Sequence, residues 1–156
     1  VDIDHNYDLV YYPFNSIAHI NGDVNEQVSA FENIHSHLAG DGLFAFDIYV
    51  IDFDAVSDYG DLKSKTFDHD GNRYKFEKWS ELLSPVEQRI RSYNRIINID
   101  EGIIEWEDSH DLSLYPKQQI ELILQQAGFS DYEFYDGFTE NPLVDESKQM
   151  GVVARK

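Results

Sequence analysis

Two short stretches of this sequence gather side chains of the kinds that do chemistry. In the first, Phe14, Asn15, Ser16 and His19 follow an apolar run and open a polar loop. An imidazole that titrates near neutrality suits a general base for an amine or a hydroxyl, so His19 is the candidate catalytic group. It could equally satisfy backbone groups, as the loop's other polar side chains could cap the helix that follows. In the second stretch, Asp47 and Tyr49 end another apolar run, where they either meet a ligand or cap a turn. Further on come Trp79, Tyr93, Trp106, His110 and Tyr115, which can cover a ligand crevice or pack into a core. Arg89, Arg91 and Arg95 are three of the five arginines and alternate along one segment. They suit an anionic group on a substrate, or cross-strand pairing with Glu105, Glu107 and Asp111. No metal site is expected: His35 and His37 cannot share a helix face, and His5, His69 and His110 lie near aspartates without HxxxH or HExxH spacing.

The first two groups are positioned by a βαβ unit between Tyr7 and Tyr49. Tyr7 to Phe14 reads as a buried strand that breaks at Pro13-Phe14-Asn15-Ser16. Val24, Val28, Phe31, Ile34 and Leu38 recur at steps of three and four, one face of a helix. Asp23, with Glu26 three residues on, is the expected N-cap, and Gly40 or Gly42 the expected stop. Leu43 to Val50 is a second strand. Two strands joined through a helix are parallel neighbours with a right-handed crossover, and ligands of such sheets gather beyond the strand carboxyl ends.

From Ile51 to about Phe67 the apolar period is lost, which reads as a loop or short helical turn. Arg73 to Trp79 then alternates, after the turn pair Asp70-Gly71. Arg89 to Ile99 and Ile103 to Leu114 form a hairpin around Asp100-Glu101-Gly102, with Ile99 facing Ile103, Arg95 facing Glu107 and Arg91 facing Asp111. Residues 68–114 are thus an antiparallel β insert, serving as substrate cover or as a dimerisation element. Pro116, Ile120, Ile123, Leu124 and Ala127 mark a last helix ending at Gly128, and Tyr132 to Phe138 with Gly151 to Lys156 a terminal antiparallel pair.

Lys and Arg total 12 against 30 Asp and Glu, a formal charge of -18. Nucleic-acid backbones and anionic membranes are repelled on average, so neither is an expected partner. The acid is spread along the chain, as adaptation to high salt or plain solubility would spread it. With 42% hydrophobic and 14% aromatic residues, the 156-residue chain is expected to fold as a single domain over 1–156. There is no cysteine, so thiolate chemistry and disulfides are excluded. The sequence shows no leader-like segment and no apolar run of about 18 residues, which suggests a cytoplasmic protein. It begins on Val1 close to a strand of interior type, as a fragment or a trimmed chain would.

The order of these pieces is strand YDLVYYPFNSIAHI, helix ending HSHLAGDG, strand LFAFDIY, insert, helix ending QQAGF, and a strand pair ending GVVARK. It resembles the C-terminal half of a class I S-adenosylmethionine-dependent methyltransferase of the small-molecule type. The resemblance implies an α/β, Rossmann-like methyltransferase sheet, C-terminal half only: parallel strands plus a terminal antiparallel pair, with the antiparallel β insert. It places Phe14, Asn15 and Ser16 at the methionine end of the cofactor, Asp47 and Tyr49 in the same crevice, and Trp79, Tyr93, Trp106, His110 and Tyr115 around a substrate pocket. It implies S-adenosyl-L-methionine as the cofactor of the complete protein and a small molecule as its substrate.

The glycine-rich loop and ribose-binding acid of that family are not in this sequence. Gly40-Asp41-Gly42 follows a helix and Asp70-Gly71 sits in a hairpin-like turn, so neither replaces them. The cofactor-binding N-terminal half is therefore expected to be missing. The edge of the fourth-type strand would then be covered by that segment or by a homodimer partner. The runner-up is a non-catalytic binding or assembly module derived from a methyltransferase. Methyl transfer from a sulfonium is an in-line displacement that needs alignment and exclusion of water, so no acid-base motif is required of the sequence.

Overall fold

A computed structural model describes residues 5–51 and 60–156. They divide between two compact units, Val1–Asp52 with Leu114–Lys156, and Phe53–Ser113. The first unit holds β1 (Tyr7–Tyr12), a short 3-10 helix (Ser16–His19), α1 (Val24–His37), β2 (Leu38–Tyr49), α2 (Lys117–Gln126), β7 (Asp131–Asp136) and β8 (Gln149–Arg155). Its sheet has the order β1-β2-β8-β7, with β1 and β2 parallel and the other pairings antiparallel. These are the parallel strands and terminal antiparallel pair of the expected fold.

The period of two along β2 sorts its side chains. Phe44, Phe46 and Ile48 are fully buried with Phe31 and Ile34 of α1, Ile120, Ile123 and Leu124 of α2, Phe129, and Met150, Val152 and Ala154 of β8. Phe31 stands edge-on to both Phe44 and Phe46, with ring centroids 5.4 and 5.7 Å apart. Each such side chain contributes roughly 1.5–3 kcal/mol on leaving water, so this layer anchors the unit. The alternate positions of β2, Ala45, Asp47 and Tyr49, face the opposite side.

Local chemistry sets the ends of α1. The Asp23 carboxylate accepts from the backbone N–H groups of Asn25 and Glu26 at 2.8 and 3.0 Å, the expected cap. The expected glycine stop is corrected: the helix ends because Leu38 turns extended (φ -78, ψ 146), and Gly40 and Gly42 fall inside β2. There the pairing jumps from Tyr7↔Leu38 to Leu9↔Leu43, a bulge that absorbs the extra residues. Val24 also leaves the expected buried stripe and is 60% exposed. Gln27 is buried instead, donating to the Gly22 carbonyl at 3.1 Å and accepting from Gln119 of α2 at 2.9 Å.

β1 corrects the reading of Tyr7 to Phe14 as a buried strand. It ends at Tyr12, and Leu9 and Tyr11 are 55% and 50% exposed. The reason is its place at the sheet edge, where β2 is its one strand partner among the described residues.

The second unit holds β3 (Lys63–His69), β4 (Asn72–Ser84), β5 (Arg89–Asn98) and β6 (Ile103–Ser113), an antiparallel meander in that order. β3 corrects the reading of Ile51 to about Phe67 as a loop or short helical turn, since Lys63–Phe67 are strand; residues 52–59 of that stretch lie outside the described residues. Asp70 and Gly71 have φ of 48 and 81, the two left-handed residues of a tight hairpin turn. The β5–β6 register carries Arg95↔Glu107 and Arg91↔Asp111 as the sequence predicts. Ile99 does not face Ile103, however. Between Ile96↔Trp106 and Ile97↔Ile104 the register slips by one, so Asn98 pairs with Ile103. Asn98 closes the loop by accepting from Gly102 N–H on its carbonyl at 2.9 Å and from Glu101 N–H on its side chain at 3.1 Å.

Candidate strand-end site

The carboxyl ends of β1 and β2 lie side by side, and the residues leaving them are bonded to one another. After Pro13, Phe14 and Asn15 both take φ of 60, a left-handed conformation costing a residue with a Cβ roughly 1–2 kcal/mol. Such strain persists where the surroundings over-determine it. Asn15 N–H donates to Asp47 Oδ2 at 3.0 Å, and Asn15 Oδ1 accepts from Tyr49 N–H at 3.1 Å. Ser16 Oγ turns back onto the Pro13 carbonyl. Ile17 and Ala18 are buried and pin the short 3-10 helix, from which His19 projects exposed. Phe14 is 88% exposed and Tyr49 59%.

Asp47 is fully buried. Its Oδ2 takes a second donor, the side-chain amide of Gln149, while its Oδ1 has no partner among the described residues. Phe14, Asn15, Ser16, His19, Asp47 and Tyr49 are thus brought to one end of the sheet. Gln149 joins them although the sequence did not single it out. It also lines a cleft of about 450 Å³ in the β7–β8 connection, with Phe138, Thr139, Val144 and Lys148. Phe138 in turn meets Tyr11 of β1 edge-on at 5.5 Å. The signal for this loop was a pair of glycines. Gly137 and Gly151 let the chain fold back so closely that a Cβ on Gly151 would overlap the Gly137 carbonyl.

Tyr115 stands elsewhere. Expected in the substrate pocket, it is 1% exposed in the core of the first unit and its hydroxyl donates to the Ile20 carbonyl. Its ring has no free face for a ligand. Trp79, Tyr93, Trp106 and His110 belong to the second unit. Trp79 and Tyr93 stack at 4.8 Å with 4° between their planes, and the Arg95 guanidinium lies 5.3 Å from the Trp79 ring centre. Trp106 is 45% exposed, and His110 lies 3.4 Å from Asp108.

Arg91 and Arg95 are hydrogen-bonded to carboxylates, and Arg89 lies 3.9 Å from Glu87. Arg91 forks onto Asp111 at 2.6 and 3.0 Å, which raises the guanidinium pKa and holds the Asp111 carboxyl below its ordinary value. Arg95 binds Glu77 of β4 more closely than Glu107, which is 3.9 Å away. Hydrogen bonds from Lys75 and then Arg95 hold the Glu77 carboxyl below the ordinary glutamate value. Glu105 accepts from Asn98 instead of an arginine, at 3.2 Å. The Tyr93 hydroxyl donates to Glu81 at 3.0 Å, which raises its pKa. Among the described residues, no three His, Asp or Glu side chains form a metal site, and no helix is long and apolar enough to cross a membrane.

No protein-family model matches the sequence, and no curated protein matches it. Solved structures do match the fold. One is an S-adenosylmethionine-dependent methyltransferase from Clostridium acetobutylicum (TM-score 0.75, 16% identity), matched over 99% of this chain and 60% of its own. Another is the CcbJ methyltransferase from Streptomyces caelestis (TM-score 0.75, 16% identity), over 99% and 59%. A third is CalS10 from Micromonospora echinaspora, an amino pentose methyltransferase with S-adenosylmethionine bound (TM-score 0.71, 17% identity), over 100% and 61%. The chain therefore spans about 60% of the length of these structures. At these identities the likeness is one of fold: the protein has the Rossmann-like α/β fold of S-adenosylmethionine-dependent methyltransferases, over a stretch consistent with the C-terminal half of the class I type.

Proposed function

We propose that this chain supplies the substrate side of an S-adenosylmethionine-dependent methyltransferase acting on a small molecule. The observation that carries the reading is a fold match to such enzymes running through 99–100% of the chain, both units included. Bound S-adenosylmethionine would supply a methyl group on a sulfonium, open to in-line displacement by an acceptor atom. The residues here hold and shield. The Phe14–Ser16 loop fits the methionine end of the cofactor, because two left-handed residues turn an exposed aromatic ring and a row of polar groups toward the strand ends. His19 takes a proton from the acceptor, and Asp47 and Tyr49 line the acceptor's side. The nucleotide end fits nothing in this sequence, which lacks the glycine-rich loop and the ribose-binding acid.

Isothermal titration of the chain with S-adenosylmethionine tests the half-pocket. No saturable binding in the micromolar range is expected, and micromolar binding by this chain alone would sink the idea. In a complete protein, His19→Ala should lower kcat by about 10²–10⁴ with little change in KM. Unchanged kcat removes His19 from the chemistry. The edge of β1 that has no strand partner among the described residues is proposed to be covered by an upstream segment or by a second copy of the chain. Light scattering distinguishes them: a dimer mass for the chain alone favours the second copy.

A second reading is a non-catalytic binding or assembly module derived from a methyltransferase. A strand followed by G-x-G upstream of Val1 decides for the enzyme, and a native start near Val1 for the module.

A further inference from the structure

The two outer strands of the second sheet carry opposite chemistry. β3 and β6 each have one strand partner among the described residues, every residue of β3 is exposed, and so are the first seven of β6. On β3, Lys63 and Lys65 are two positions apart and so share a face, and Lys78 of β4 stands directly opposite Lys63. Like charges directly opposite repel, and none of the three lysines forms an ion pair among the described residues. On β6, Glu105, Glu107, Asp108 and Asp111 occur with no lysine or arginine. Between them Ile103, Ile104 and Trp106 are 47, 55 and 45% exposed. The pairing register relates the two edges. Counted across the four strands, Lys63 shares a row with Asp108, Lys65 with Trp106 and Phe67 with Ile103, all on one face. Three antiparallel pairings also leave β6 antiparallel to β3.

We propose that the β3 edge of one copy of this chain binds the β6 edge of a second copy, head to tail, continuing the sheet in its own register. Lys63 then meets the second copy's Asp108, Lys65 lies over its Trp106 ring, and Phe67 packs on its Ile103. Asp108 lies 3.4 Å from His110 of its own strand, and its side chain is 51% exposed, open to this second cation. Edge lysines ordinarily deter strand pairing. Here the other edge of the same sheet offers a carboxylate and an aromatic ring in matching rows, so the lysines select a partner. Asp68, the one acid of β3, falls beyond the end of the second copy's β6 and opposes nothing there. The contact is heterologous, using two different edges, and is separate from the edge of β1.

The chain has no cysteine, so introduced cysteines report the contact. Thr66 and Ile104 share a row on the other face of the sheet, and both are exposed. The test is run in about 0.15 M NaCl, where repulsion between two copies is screened beyond roughly 8 Å. Mild oxidation of an equimolar mixture of Thr66→Cys and Ile104→Cys should give a disulfide-linked dimer of one copy of each, with either variant alone cross-linking at least about tenfold less. Adding Lys63→Glu to the Thr66→Cys copy should lower the yield about tenfold, and adding Asp108→Lys to the Ile104→Cys copy should then restore it. All four positions are exposed, and if Lys63→Glu loses its circular dichroism signal, Lys65→Glu takes its place, with the same loss of yield expected. No cross-link in the mixture overturns the proposal and leaves the lysines as guards of a solitary edge. Equal cross-linking by either variant alone overturns it as well, because that contact is like to like. So does a cross-link indifferent to the charge reversal.

Discussion

At the scale of one residue, Phe14 carries both backbone strain and a place in the proposed site. It is 88% exposed, so its ring packs on almost nothing, yet its backbone is held at a φ of 60. Phe14→Gly removes the steric penalty and loses little packing, offset in part by the greater freedom of glycine in the unfolded chain. The variant should therefore be more stable by up to about 1 kcal/mol in urea unfolding. A complete protein carrying it should lose methyl transfer, and a variant that is both less stable and fully active would show that neither strain nor site resides there. That His19, Asp47 and Tyr49 lie at the strand ends could be read from the sequence because they follow apolar runs whose ends are visible. Gln149 could not: it meets Asp47 across 102 positions, and no local pattern marks a side chain whose partner is so distant. Tyr115 was misassigned for a related reason, since an aromatic before a proline-started helix reads alike whether its ring faces a ligand or the core.

At the scale of elements, periodicity located what was buried and missed what was not. α1, β2 and α2 each bury one face, and the sequence shows each. Every residue of β3 is exposed, so no burial wrote a period into Lys63–His69. The slip at the end of the β5–β6 hairpin depends on one bulged residue and the bonding of Asn98, below the resolution of a pattern. Gly151→Ala tests how tightly β8 and the β7–β8 connection are fitted. The new methyl would meet the Gly137 carbonyl, so a destabilisation of about 1–3 kcal/mol is expected in urea melts, with loss of the Gln149 amide signal from its bonded position. In the second sheet, the Glu77 carboxyl titrates below its usual value of 4.5 because Lys75 and Arg95 bond its ionised form. A carboxyl lowered on folding adds stability that is full above the unfolded value and lost as pH falls through the folded one. Unfolding midpoints of the native chain should drop more steeply below pH 4.5 than those of Glu77→Gln, whose amide does not titrate. Parallel curves would remove Glu77 from the acid sensitivity.

The whole molecule carries a formal charge of -18, which repels itself in the compact state. Raising NaCl from about 0.02 to 0.5 M shortens the screening length from roughly 20 to roughly 4 Å. The urea midpoint should rise across that range, and a fall would mean that attractive pairs such as Arg91–Asp111 outweigh the general repulsion. Fold class was legible at this scale because the order of elements is a long pattern in which small errors at each boundary do not matter. That β1 has one strand partner among the described residues was legible too, since it follows from strand order. The position of β8 between β2 and β7 has a further consequence, for how the chain is made. β2 leaves the ribosome before β8, and the strand that fills its far side follows only after the whole second unit has been synthesised. Through that interval the aromatic face of β2 has α1 to lean on and lacks β8. Long-range pairing of this kind closes slowly and leaves sticky surface open meanwhile. The nascent chain is therefore expected to engage a chaperone until β8 docks, and the register of Phe46 with Val152 is a step at which synthesis and folding have to be reconciled.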